Sequence, residues 1–179
     1  DLLSRAYRRI LTPAAKFWVC KRAVDVTAEC MEVWGGNGYI EDGPMPRLYR
    51  EAPVNSIWEG SGNIMCLDVL RALKRHPELA EAMGNALLQD SADEPLLAAG
   101  ARQLLAMLSN PDAVQVAAAR YLAQDLVLLV QANLLRRHAP QMVADGFIQS
   151  RFAGRGGRVF GVVTAKPATT AVLARVWQE

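Results

Sequence analysis

One carboxylate in the sequence has neighbours that suit proton transfer. Glu59 follows Trp58 and precedes Gly60, Ser61 and Gly62, immediately before an apolar helical pattern. The indole is a desolvating surface, and a substrate that expelled water would make the carboxylate a stronger base. The positive end of a following helix acts the other way and favours the ionised form. From the local pattern alone, a helix-start glutamate that complements the dipole is the leading reading. A second segment, Glu32-Val33-Trp34-Gly35-Gly36-Asn37-Gly38-Tyr39, carries three glycines within four residues after a helical pattern. Glycines expose backbone N–H groups and let another molecule come close, so a phosphate or a neighbouring chain fits there. A plain helix stop and turn fits as well.

The elements that must position these residues are helical. Residues 1–11 read as the tail of a helix, and Thr12-Pro13 as the N-cap and first residue of the next. Phe17, Val24, Met31 and Trp34 recur at helical spacing, with Cys20, Thr27 and Ala28 in the same stripe, until Gly35-Gly36 stops the pattern. A loop is expected from Asn37 to Pro44, a short helix from Met45 to Glu51, and a helix after Glu59 buried along Ile64, Leu67, Leu70 and Leu73. His76-Pro77 ends it. Further helices are predicted over 78–88, 96–108, Asn110-Pro111 to His138, 141–152 and 168–177, with a glycine-rich loop at 153–157 and an extended stretch over 158–164. The fold class is therefore all-α, and a change of charge balance near His76 suggests a boundary between residues 1–76 and 77–179.

The chain has 179 residues, of which 51% are hydrophobic and 21% charged, with a net charge of +2. That composition buries a core and excludes a disordered chain. The longest strongly apolar stretch, Leu126 to Val130, is far short of a membrane span. No apolar leader core follows Asp1-Leu2-Leu3-Ser4-Arg5, so a cytoplasmic protein is expected. With no initiator Met, the chain is also expected to be part of a longer protein. Cys20, Cys30 and Cys66 form no C-x-x-C pair, and His76 and His138 have no ligand spacing, so neither a disulfide framework nor a metal site is expected.

Charge is unevenly spread. Residues 131–179 hold seven bases (Arg136, Arg137, Arg151, Arg155, Arg158, Lys166 and Arg175) against Asp145 and Glu179. Arg136 and Arg137 close a helix, where cations complement the dipole. Arg151, Arg155 and Arg158 bracket the glycine-rich loop and could lie along a phosphate backbone without sequence specificity.

The run Gly35-Gly36-Asn37-Gly38-Tyr39, then Leu48-Tyr49-Arg50-Glu51-Ala52, then Ile57-Trp58-Glu59-Gly60-Ser61 resembles the C-terminal signature of the acyl-CoA dehydrogenase family. The stretch from Asn55 to Arg71 is similar to its AidB-type branch, associated with the adaptive response to alkylating agents. The family signature covers about residues 13–76, and the branch's additional helical domain would account for residues 77–179. The resemblance implies FAD as cofactor and an acyl-CoA thioester as substrate, with Glu59 as the base that removes the α-proton. Its backbone N–H would help to hold the thioester oxygen. Gly35 and Gly36 fall where the family touches FAD bound mainly to a neighbouring subunit, which implies a homo-oligomer, commonly a tetramer. Ser61 and Asn63 stand where a Thr and a Gln usually contact FAD. Glu32 replaces a common Gln, Trp58 is larger than the usual Tyr and narrows the acyl pocket, and Arg71 is a candidate for the same pocket. The branch also implies a double-stranded DNA partner for the basic C-terminal third, and so an alternative reading as a DNA-protective flavoprotein with little acyl-CoA turnover.

Overall fold

The computed structural model describes residues 1–112, 114, 116–154, 160 and 166–176. Every regular element among them is helical. α1 (Leu2–Ala6) runs through a π-turn (Tyr7–Leu11) into α2 (Thr12–Val33) without a break. The expected N-cap at Thr12 is therefore not one. Its backbone is αR, its N–H reaches the carbonyl of Tyr7, and its hydroxyl donates to that same carbonyl at 3.4 Å. A mid-helix proline collides with the carbonyl four residues back. Widening the turn just ahead of Pro13 relieves that collision, so the rod continues where the sequence suggested an ending.

α2 ends at Val33, and Gly35 takes φ 57 and ψ −143, which reverses the chain. The expected loop after it begins with a single helical turn, α3 (Gly36–Tyr39). α4 (Met45–Glu51) lies where predicted and passes into a 3₁₀ turn (Ala52–Ser56). α5 spans Gly62–Arg75, α6 Pro77–Asp90, α7 Pro95–Ser109, α8 Ala119–His138, α9 Gln141–Phe152 and α10 Lys166–Val176. α8 starts later than expected, after a short 3₁₀ turn at Val116–Ala118. The extended stretch expected at 158–164 lies outside the described residues, apart from Phe160.

The buried stripe of α5 is rotated from the one predicted. Cys66, Val69, Leu70, Ala72 and Leu73 are buried, whereas Ile64 is 47% exposed and Leu67 only half-buried. Leucines at three-residue spacing drift around a 3.6-residue helix, and the small residues Cys66 and Ala72 supply the close contact instead. α5 packs on α2 and α8, α1 packs on α6, and α7 and α9 close around α8. His76 turns the chain from α5 into α6, and one buried cluster runs across that joint, from Ala6 and Ile10 through Leu73 and Met83 to Leu122 and Ile148. The buried polar pair Ser91–Asn133 is satisfied internally, Asn133 Nδ2 donating to Ser91 Oγ at 3.0 Å. No described helix is long and apolar enough to cross a membrane.

The C-terminal half of α2 is less fully covered, although α4 and the 3₁₀ turn pack against the helix. Only Pro13, Ala14 and Phe17 of α2 are buried, and the predicted stripe residue Trp34 is 64% exposed. Val33, Tyr39, Ile57 and Trp58 continue the exposed apolar surface.

A bidentate fork joins the π-turn to α5: Arg9 donates to both oxygens of Asp68, at 2.7 and 3.0 Å. That hydrogen bond holds the Asp68 carboxyl below its ordinary 3.8, against the opposing effect of burial. A depressed carboxyl contributes its full stability above the ordinary value and loses it as pH falls toward the folded value. Asp68→Asn should therefore cost about 1 kcal/mol at pH 7 for this part-exposed pair. The deficit relative to wild type should shrink as the pH falls below about 4. Urea unfolding of the two proteins across pH 3 to 7 measures it.

Candidate active site

Glu59 occupies the tip of a turn between the 3₁₀ segment and α5. Its φ is 55, and it is the positive-φ residue other than glycine among those described. Gly60 follows at φ 108. A left-handed conformation costs an ordinary side chain about 1–2 kcal/mol, so something must hold it. Lys16, from the second turn of α2, does so. Its Nζ donates to the carbonyl of Trp58 at 2.9 Å and to that of Gly60 at 2.6 Å, one on each side of Glu59. Hydrogen bonds from a charged donor contribute about 1.5–3 kcal/mol each, enough to outweigh the backbone cost. The carboxylate itself is exposed and meets no cation within ion-pair distance among the described residues. Trp58 beside it is 59% exposed, so the indole forms an open wall rather than a closed pocket.

Ser61 is the N-cap of α5 but makes no side-chain cap hydrogen bond, and the first turn holds no acid. The N–H groups of Gly62, Asn63 and Ile64 meet no acceptor among the described residues. Asn63 is already engaged: its Oδ1 accepts from Arg120 Nε at 2.8 Å, and the Arg120 guanidinium also lies 5.7 Å over the Phe17 ring. Arg120 belongs to α8, 57 residues further along, and nothing in the local sequence marked it. Lys16 was missed for the same reason, since a single lysine on a helix face carries no pattern.

The other candidates lie apart. Gly35 and Gly36 sit beyond the far end of α2, about 27 Å along the helix from Lys16 at 1.5 Å per residue. A Cβ at either glycine would meet open space. Arg71 lies nine residues into α5, about 13 Å from its start. It is exposed, and its charge acts on Asp68, one turn earlier.

Residues 2–74, which hold the rod, the glycine turn, the Glu59 turn and α5, match the acyl-CoA dehydrogenase C-terminal domain. That segment, less than half of the chain, is similar to an acyl-CoA dehydrogenase C-terminal domain. The chain is 40% identical over 157 residues to the putative acyl-CoA dehydrogenase AidB of Escherichia coli (strain K12), covering 88% of this chain and 28% of that protein. It is 41% identical over 81 residues to acyl-CoA dehydrogenase family member 11 of Caenorhabditis elegans, covering 45% of this chain and 13% of that protein. Against the cyclohexane-1-carbonyl-CoA dehydrogenase of Syntrophus aciditrophicus (strain SB) it is 36% identical over 64 residues, covering 36% of this chain and 17% of that protein. The chain thus spans less than a third of each relative. The AidB match is too long to end at residue 74 and takes in helices beyond the acyl-CoA dehydrogenase domain.

In those later helices the basic residues are partly spoken for. Arg136 donates to the Asp90 carbonyl at 3.0 Å and to Asp93 Oδ2 at 2.6 Å, and Arg137 pairs with Asp90. Both tie the end of α8 to the α6–α7 connection, which leaves them less free charge for a nucleic-acid backbone. Arg151 makes no ion pair among the described residues. It lines a cavity of about 320 Å³ between α7, α8 and α9, where burial and then the charge of Arg22 push its guanidinium down. Asp125 lines the same cavity, and burial pushes its carboxyl up. Arg155 and Arg158 lie outside the described residues.

The Glu59 turn depends on Gly60 for its backbone. An L side chain is strained at φ 108, whereas the Met65 Cε that a Cβ would meet at 2.2 Å is the far end of a flexible side chain and can move aside. Gly60→Ala should destabilise by about 2 kcal/mol or more. Gly43→Ala is the control, because its Cβ would meet only Asn37 O at 3.8 Å, and its change should stay within about 0.5 kcal/mol. Denaturant unfolding of the two variants decides the matter.

Proposed function

We propose that Glu59 is the catalytic base of an FAD-dependent, acyl-CoA dehydrogenase-like oxidoreductase, which acts on the CH–CH bond next to an acyl thioester. The observation that carries this reading is the position of Glu59. It is an exposed carboxylate, clamped in a left-handed turn at the N-terminus of α5, inside the matched acyl-CoA dehydrogenase domain. A base for a weakly acidic C–H proton needs a fixed direction and a site from which substrate can displace water. The turn supplies the direction. Trp58 offers the apolar wall that a bound acyl chain would complete, and its bulk favours a short or slender chain there.

The residues fit a flavin at two places. The backbone at Gly35 and Gly36 is uncovered on the side a Cβ would occupy, and the uncapped first turn of α5 at Ser61 offers N–H donors. Asn63, held by Arg120, would present its amide from a fixed position. A bound flavin would supply the acceptor for the two electrons that leave with the β-hydrogen. This chain's part is to take the α-proton at the Glu59 carboxylate and to hold the thioester oxygen near the Glu59 N–H. The separation of about 27 Å along α2 favours an assembly in which the two places serve different copies of the cofactor, and so a homo-oligomer.

Glu59→Gln, made in the full-length protein, should retain flavin in full and lose dehydrogenation by about a thousandfold, the scale of a lost general base. Flavin absorbance and the rate of acyl-CoA oxidation with an artificial electron acceptor read the two effects separately. A variant that turns over at the wild-type rate removes Glu59 from this role.

A further inference from the structure

Lys16 does more than fasten a loop. Its ammonium reaches the carbonyls of Trp58 and Gly60 at 2.9 and 2.6 Å, and these flank the residue assigned as the base. No peptide bond here is cis. In a planar trans peptide the N–H points opposite to the C=O. With the Trp58 carbonyl drawn toward Lys16, the N–H of Glu59 must point away from it, toward the open side of the turn. That N–H meets no acceptor among the described residues, while the preceding Ile57 and Trp58 N–H groups both bond the Val54 carbonyl. A free donor is thus left beside the carboxylate, and its direction is set from α2.

We propose that Lys16 is a positioning residue: by holding the Trp58 and Gly60 carbonyls on one side, it presents the Glu59 N–H to the carbonyl oxygen of an acyl thioester on the other. This inference rests on the reading of Glu59 as the base. When the α-proton moves to the carboxylate, negative charge gathers on the thioester oxygen, and a donor already aimed at it lowers the barrier without reorganising. The same clamp fixes the carboxylate relative to that donor, because both belong to one residue. Lys16 touches neither substrate nor reacting atoms, and its effect passes through the backbone of residues 58 to 60.

The test uses Lys16→Met and Lys16→Arg in the full-length, flavin-loaded enzyme. Lys16→Met keeps the stem and removes the donors. Its kcat should fall about a hundredfold, the scale of a misplaced reacting group, with KM changing far less and flavin content unchanged. An arylacryloyl-CoA thioester, whose absorption band moves to longer wavelength when its carbonyl is polarised, should lose most of that shift when bound to the variant. Lys16→Arg, which can still donate to both carbonyls, should recover part of the rate and of the shift. Amide hydrogen exchange over residues 57–61 should quicken in Lys16→Met and remain slow in Lys16→Arg. Wild-type values of kcat, band shift and exchange in Lys16→Met overturn the proposal. A wild-type enzyme that oxidises no acyl-CoA defeats the reading of Glu59 instead, and the band shift and exchange then still decide for or against Lys16. Should Lys16→Met not fold, Lys16→Gln, which retains a single amide donor, replaces it with the same readings.

Discussion

Cys66, Val69, Ala72 and Leu73 have almost no exposed surface, and that narrow dry stripe fixes where α5 can lie. Small residues at 66 and 72 let α5 press closely on α2 and α8, and the Arg9–Asp68 fork pins its outer side to the π-turn. Once α5 is held there, its first turn must face Lys16 across a short gap. The five residues from Ser56 to Gly60 have to bridge that gap, and a left-handed tip is how they do it. The strain at Glu59 is thus a consequence of packing elsewhere, and two carbonyl–ammonium bonds offset it locally. Burial sets the frame, and one charged side chain fixes the Trp58 and Gly60 carbonyls of the turn within it.

Much of this was legible in the sequence, because helices announce themselves by period and by their stops. The bounds of α4 and α9 were read directly, and those of α6 and α7 to within two residues. The Glu59 segment stood out through the clustering of Trp58, Gly60, Ser61 and Gly62. What escaped had a physical reason in each case. Pro13 signals a helix start because a regular α-helical turn is disfavoured ahead of a proline, but here a π-turn precedes it and absorbs the clash. Leu67 and Ile64 outrank Cys66 and Ala72 in apolar character, yet closeness of approach rather than hydrophobicity chose the buried face. Lys16 and Arg120 act on partners 42 to 57 residues away, and no local pattern encodes such pairs. The charge map drew attention to Arg136 and Arg137, but a count of charges does not reveal that Asp90 and Asp93 face them.

The two parts of the chain are also less separate than the change of charge near His76 implied. A single buried cluster crosses that joint, and Arg120 of α8 holds Asn63 at the head of α5. Any shift of α8 therefore reaches the edge of the Glu59 turn through one hydrogen bond and one ring contact with Phe17. The helices beyond residue 74 buttress the segment that precedes them and do not merely follow it.

The π-turn at Tyr7–Leu11 has a consequence for how such a rod tolerates change. One additional residue in a helix turns everything ahead of it by about a hundred degrees. Here that rotation lets α1 lean on α6 while α2, in the same rod, leans on α5 and α8. Removing one residue between 7 and 11 would give a straighter and locally more regular helix. It would also swing Ala6 out of the core, because the side chains upstream and downstream would no longer be in phase with their separate neighbours. The irregularity works as a phase-shifter, and it makes the length of this short segment less negotiable than its composition.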